Sequence, residues 1–146
     1  MTLKRFTFFL LCIALLAVSA CGSRTDRQSM LNAAVKNLQT ALEKKDADAV
    51  LALLHPEFSG QQADQDREWA RQTMKLMFLR YKNIRIVVLS QDSRVGDRTA
   101  DIGSTDASVT LTGAEGLIPD SAQHYQVKLE WRWFDKQYKL FRLHWE

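Results

Sequence analysis

Between Tyr125 and Trp133 the chain alternates without a fault. Tyr125, Val127, Leu129, Trp131 and Trp133 fall on one face, and Gln126, Lys128, Glu130 and Arg132 on the other. A strand with one face buried and one face wet gives this pattern, because successive side chains point to opposite faces. An apolar face so rich in aromatics must be covered, and the cover is encoded upstream. Up to Lys82 apolar residues recur at helical spacing, and from Ile84 the period is two. Helices first and strands after predict an α+β domain, with three N-terminal helices packed on one face of a four-stranded antiparallel sheet.

The helical part divides at its caps. Leu31, Ala34, Val35, Leu38 and Leu42 predict an amphipathic helix to about Lys45, capped by Asp26 or Ser29. Asp46 is a new N-cap for a short helix from Ala47 to Leu54, with Asp48 where the helix dipole favours negative charge. Pro56 ends it, since the residue before proline is pushed out of the helical region. Ser59 to Gln65 reads as a loop. The third helix runs from about Asp66 to Lys82, acidic at its start and basic at its end. Trp69, Ala70, Met74, Met77, Phe78 and Tyr81 give it a broad apolar face.

In the strand part, Ile84 to Leu89 is apolar except for Arg85, which predicts cover on both sides. Arg94 to Asp97 is a turn, Arg98 to Thr112 a long strand region, and Asp135-Lys136-Gln137 a tight link to a last strand, Tyr138 to Trp145. Two strands change phase. Ala100 and Ile102 are even-numbered while Ala107, Val109 and Leu111 are odd, with Gly103 at the change. Tyr138 and Leu140 are even while Phe141, Leu143 and Trp145 are odd. A one-residue insertion swaps faces, so both predict bulges and a strongly curved sheet.

These elements carry a family resemblance. The broken first pair (Ala41 to Asp46, then Ala47 to Leu54), the His55-Pro56-Glu57-Phe58 exit and the closing Trp133 and Tyr138-Lys139-Leu140 hairpin resemble the nuclear transport factor 2-like, or cystatin-like and SnoaL-like, superfamily. The resemblance covers about Arg27 to Glu146. It implies a cone of helices and curved sheet around an apolar pocket. The family usually has a hairpin between the second and third helices; here only Phe58 to Gln62 is available, so that hairpin is expected to be minimal or missing. Some members are enzymes, such as ketosteroid isomerase, scytalone dehydratase and limonene epoxide hydrolase, and many are non-catalytic binding or assembly domains.

The N-terminus has its own logic. Lys4 and Arg5 precede an apolar run, Phe6 to Val18, too short to span a bilayer. The run ends in Val18-Ser19-Ala20-Cys21, which resembles the bacterial lipoprotein signal. The resemblance implies a signal peptide over 1–20, cleavage after Ala20, lipid on Cys21 and a lipidated tether over 21–26. Gly22 and Ser23, with no Asp after the cysteine, imply sorting to the outer membrane, facing the periplasm. Cys12 is discarded with the signal, so the mature chain keeps one cysteine and forms no internal disulfide. Multiple acyl chains anchor stably where one does not.

The chemistry-bearing residues are few. There are 20 Lys and Arg against 17 Asp and Glu, and loss of Lys4 and Arg5 leaves a net +1, which argues against nucleic acid. His55, His124 and His144 are scattered without acidic partners at ligand spacing, so no metal site and no cofactor are expected. Acid–base chemistry needs a carboxylate buried in an apolar cavity. Asp101 reads as solvent-facing, Asp106 is ambiguous beside the bend, and no catalytic residue is assigned. The candidate pocket lining is Trp69, Met77, Tyr81, His124, Tyr125, Trp131 and Trp133, aromatics and methionine being suited to an adaptable apolar wall. Leu117-Ile118-Pro119 either covers the sheet as a lid, faces a partner, or pins its loop. The functional expectation is a membrane-anchored binding module for a small apolar ligand or an envelope protein. The alternatives are a ketosteroid-isomerase-type enzyme and a structural homodimer, the latter needing Tyr138 and Leu140 exposed.

Overall fold

The computed structural model describes residues 19–115, 118, 119 and 122–146. The apolar run Phe6 to Val18 lies outside them, as does Leu117. The first helix, α1, spans Ser19–Glu43 and begins upstream of both expected caps, so neither Asp26 nor Ser29 starts it. No proline interrupts the stretch, and one Gly22 costs a helix only about 1 kcal/mol. Leu31, Ala34, Leu38 and Ala41 form its buried stripe. Lys45 closes it in the left-handed conformation, φ 57°, and the Asp46 N–H returns to the Ala41 carbonyl at 2.9 Å.

Asp46 caps α2, Ala47–Leu53, accepting from the Ala49 N–H at 2.9 Å. The chain then departs from expectation. Leu54–Ser59 is a strand, β1, pairing parallel with the last strand at Leu54–Leu140 and Ser59–Arg142. Pro56 sits in it because β1 is a sheet edge, where a missing N–H costs no ladder bond. Where the family's hairpin is expected to be minimal or missing, the chain has this single strand. Asp66 caps α3, Arg67–Arg80, accepting from the N–H groups of Glu68 and Trp69. The Lys45 ammonium donates to the carbonyls of Phe78 and Tyr81, at 3.1 and 3.2 Å, tying the end of α3 to the end of α1.

The remaining strands are β2 (Tyr81–Val95), β3 (Ile102–Glu115), the two-residue β4 (Ile118–Pro119), β5 (Gln123–Phe134) and β6 (Gln137–Trp145). They build a five-stranded path, β1-β6-β5-β3-β2, with β4 attached to β3. The sheet therefore has a parallel edge strand beyond the four antiparallel ones expected. Phe141 is the extra residue in β6, since Glu130 pairs Arg142 and Trp131 pairs Leu140. The other bulge is not at Gly103, because β3 runs in unbroken register from Ile102 to Leu111 against β5. Leu89 of β2 is the extra residue instead. Gly103 serves close packing: a Cβ there would meet Leu31 at 3.0 Å. Ile102 points outward, and the strand has one phase.

Ile84 to Leu89 is not covered on both sides, since Val87 and Leu89 are 42% and 60% exposed. The free edge of β2 is instead guarded from one side by α1. Gln28 accepts from Val95 N–H and donates to the Ser93 carbonyl, Gln39 donates to the Ile86 carbonyl, and Glu43 accepts from Ile86 N–H. Side chains thus occupy backbone groups that a foreign strand would need.

Candidate functional site

A cavity of about 420 Å³ lies between α1, α3 and the concave face of the sheet. It is built by small and aliphatic side chains: Ala107 and Val109 of β3 and Val127 of β5 face Val35 and Leu42 of α1. Trp69 and Trp145 stand stacked on its wall, ring centroids 6.4 Å apart and 14° from parallel. Its polar points are Gln39, Thr73, Gln91, Thr105 and Tyr125. Among the described residues the wall carries no Asp, Glu, His, Lys or Arg. Thr105 is fully buried and shares its hydroxyl with Ser93, 3.0 Å, and with the Trp131 indole, 3.2 Å. Val88, Gln91 and Leu111 are the exposed members and mark the mouth.

Of the residues proposed from the sequence, Trp69 and Tyr125 stand on this wall and the others do not. Trp131 is wholly buried behind Thr105. Trp133 lies under Arg27, whose guanidinium carbon is 3.4 Å from the ring centroid, and meets Tyr138 edge-on at 5.2 Å. Met77 and Tyr81 lie beyond the wall at the end of α3 and the start of β2. His124 is on the outer face, within 3.2 Å of the Ser108 hydroxyl. Sequence reasoning missed Trp145, Ala107 and Val127. Trp145 was visible through the odd-numbered phase after Phe141, whereas small residues carry no signal of empty space.

The candidate carboxylates face water. Asp101 is exposed and 3.6 Å from Arg27, and Asp106 is exposed and 3.7 Å from Lys128. Among the described residues no three His, Cys, Asp or Glu gather as a metal site. His55 is buried, edge-on to Phe134 and Phe141 at 5.0 and 5.5 Å. Its Nδ1 accepts the Glu57 N–H at 3.1 Å. Burial lowers its pKa from 6.5, with Arg132, Lys139 and Arg67 adding to the effect and Glu57 opposing it. Tyr138 donates to the Ala100 carbonyl, and burial raises its pKa against the pull of Arg27. Tyr138 and Leu140 are buried, so the exposed patch that a homodimer through them needs is missing.

No protein-family model and no curated protein matches the sequence. Solved structures do match. An NTF2-like family member from Streptomyces avermitilis, described as a candidate dehydratase, superposes with a TM-score of 0.71 at 15% identity, over 83% of this chain and 94% of that one. An uncharacterised protein of cystatin-like fold from Caulobacter vibrioides gives 0.66 at 10% identity, over 84% and 88%. Bd1075 of Bdellovibrio bacteriovorus gives 0.65 at 12% identity over 77% of this chain, which spans 38% of that protein's length. The chain therefore has the nuclear transport factor 2-like, or cystatin-like, fold.

Proposed function

We propose that this chain is a lipid-anchored binding protein of the cell envelope. In this reading Cys21 holds it on the outer membrane, facing the periplasm, and its cavity takes a small uncharged apolar ligand. The observation that carries the binding reading is the wall: an apolar enclosure of about 420 Å³ without an ionised group among its described residues. A cavity of this size and lining suits one small apolar molecule. Acid–base catalysis is the weaker reading, because it needs a carboxylate held in the cavity and Asp101 and Asp106 both face water.

The test is titration with uncharged apolar compounds, aromatic and aliphatic. Trp69 and Trp145 on the wall make tryptophan fluorescence the readout. Ligand that binds only the folded state also raises the Tm by mass action. Absence of both responses across such a series removes the binding reading, and saturable binding of an envelope protein in its place favours the alternative partner. The anchor is tested separately. Cys21→Ser should abolish labelling by an acyl analogue, and a variant that still labels and pellets with the outer membrane refutes it.

A further inference from the structure

One stretch of the cavity wall is held differently from the rest. Leu54 and Phe58 of β1 are buried and stand on the wall. Between them β1 is loosely laddered: it meets β6 in register at Leu54–Leu140 and at Ser59–Arg142, with an irregularity between the two pairs. Pro56 has no N–H to give. Leu54 is pinned from α3, where the Arg67 guanidinium donates to its carbonyl and to that of Leu51, each at 3.1 Å. From His55 to Phe58 the tie is local. The His55 Nδ1 accepts the Glu57 N–H at 3.1 Å, the turn that an Asn or Asp side chain makes with the backbone two residues on. Only an unprotonated Nδ1 can accept. The ring itself is seated edge-on to Phe134 and to Phe141, the bulged residue of β6.

The charges around this ring come from every side. Glu57 of β1, Arg132 of β5, Lys139 of β6 and Arg67 of α3 all act on it. Arg142 of β6 lies 5.3 Å from the Phe141 ring centroid and is 3.6 Å from Glu130. From α2 come the carbonyls of Leu51 and Ala52, taken by Arg67 and by Lys139. Burial and the three cations favour the neutral ring, with Glu57 opposing.

We propose that protonation of His55 releases β1, and Phe58 with it, from the cavity wall, so that the cavity gives up its apolar ligand as the pH falls below neutrality. An imidazolium carries a proton on Nδ1 and meets the Glu57 N–H donor to donor. The tie breaks, and enclosure by the two phenyl rings disfavours the charged ring. Phe58, three residues on, then loses the turn that aims it into the wall. A ligand that needs the closed wall binds the neutral form more tightly, and by reciprocity a bound ligand makes His55 harder to protonate. The ligand step rests on the binding reading above, whereas the release of β1 is read without ligand.

The experiment uses the full chain and N-phenyl-1-naphthylamine, an apolar fluorescent probe that is uncharged throughout the window. From about pH 7.5 to about pH 5.5, where an imidazole changes charge, its Kd should rise several-fold. The rise should stay within about tenfold per pH unit, since one proton is coupled. His55→Asn keeps an acceptor for the Glu57 N–H and removes the titration, so its Kd should be flat and close to the wild-type value near neutrality. His124→Asn and His144→Asn should keep the wild-type slope. Amide exchange of Glu57, read by NMR and referred to the free-peptide rate at each pH, should lose protection in the wild type as the pH falls. Amides of β3 and β5 should change much less. The coupling is overturned if the wild-type Kd is flat, if His55→Asn keeps the slope, or if the Glu57 amide stays equally protected. Should His55→Asn fail to fold, the wild-type profiles and the two control histidines still decide. A protein that takes up no uncharged apolar probe at any pH refutes the binding reading, and the exchange of Glu57 then decides the release of β1 by itself.

Discussion

The Trp131 indole N–H donates to the Thr105 hydroxyl at 3.2 Å, and neither residue has any exposed surface. This bond joins β5 to β3 under the cavity floor, and it explains why the largest side chain of the strongest strand belongs to the core. A buried N–H must find an acceptor, and Thr105 is the neighbouring strand's nearest inward hydroxyl. Thr105→Val keeps the shape and strands that N–H, so it should cost about 1–3 kcal/mol. Trp131→Ala, which leaves a void, should cost about 3–5 kcal/mol. Arg132→Ala, on the opposite face, loses only a stack on Phe141 and an exposed pairing with Glu57, worth about 1 kcal/mol. Urea titrations of the three variants should rank them in the order Trp131, Thr105, Arg132.

His55 makes the stability depend on pH below neutrality. Its folded-state pKa lies under the 6.5 of the free side chain, because protonation would charge a ring enclosed by Phe134 and Phe141. Below 6.5, down to the folded value, the unfolded chain therefore binds more protons, and stability rises with pH through that window. This contribution is fully present above 6.5 and is lost as pH falls beneath it. Denaturant midpoints measured from about pH 7 to about pH 5.5, where only an imidazole changes charge, should fall for the wild type. In His55→Gln they should fall less. Equal slopes in the two proteins would show that His55 is not the group responsible.

Arg27 fastens α1 to the sheet by lying on Trp133, and the planar guanidinium is what the stack uses. Arg27→Lys keeps the charge near Asp101 but gives up the flat contact, so it should recover little of the loss seen in Arg27→Ala, about 1–2 kcal/mol. Full recovery by lysine, measured in the same urea titration, would mean that the ion pair rather than the stack holds α1.

The parts of this fold that were legible in the sequence are those set by local chemistry. Asp46 and Asp66 announced two helix starts, and the change of phase at Phe141 announced a bulge, because an alternation on one face makes a slip visible. The bulge at Leu89 was hidden for the opposite reason: Val87, Val88 and Leu89 are apolar on both faces, so no phase can be read. β1 was hidden by Pro56, a breaker in a helix or a central strand but harmless at an edge. Trp131 and Trp133 read as pocket walls because they are large and in phase with Tyr125. What removes them from the cavity is two non-local partners, Thr105 and Arg27, that no spacing in the chain reveals.

The cavity itself arises from what is small, which supplies its sharpest test. Ala107 stands on the cavity wall in the middle of β3, between Gln91 of β2 and Val127 of β5, where a larger residue would reach into the space. Ala107→Phe should occupy part of the volume, toward the α1 side chains that line the cavity. Filling a void with apolar atoms commonly adds about 0.5–2 kcal/mol of stability. If the space is a binding site, the variant should be at least as stable as the wild type by urea titration. It should also lose the ligand-induced rise in Tm and the quenching of Trp69 and Trp145. A variant that folds stably and binds as before would place the ligand elsewhere. One that loses several kcal/mol would show that the wall cannot accept the ring, and Ala107→Leu, which adds less volume, then decides between a void and a packed core.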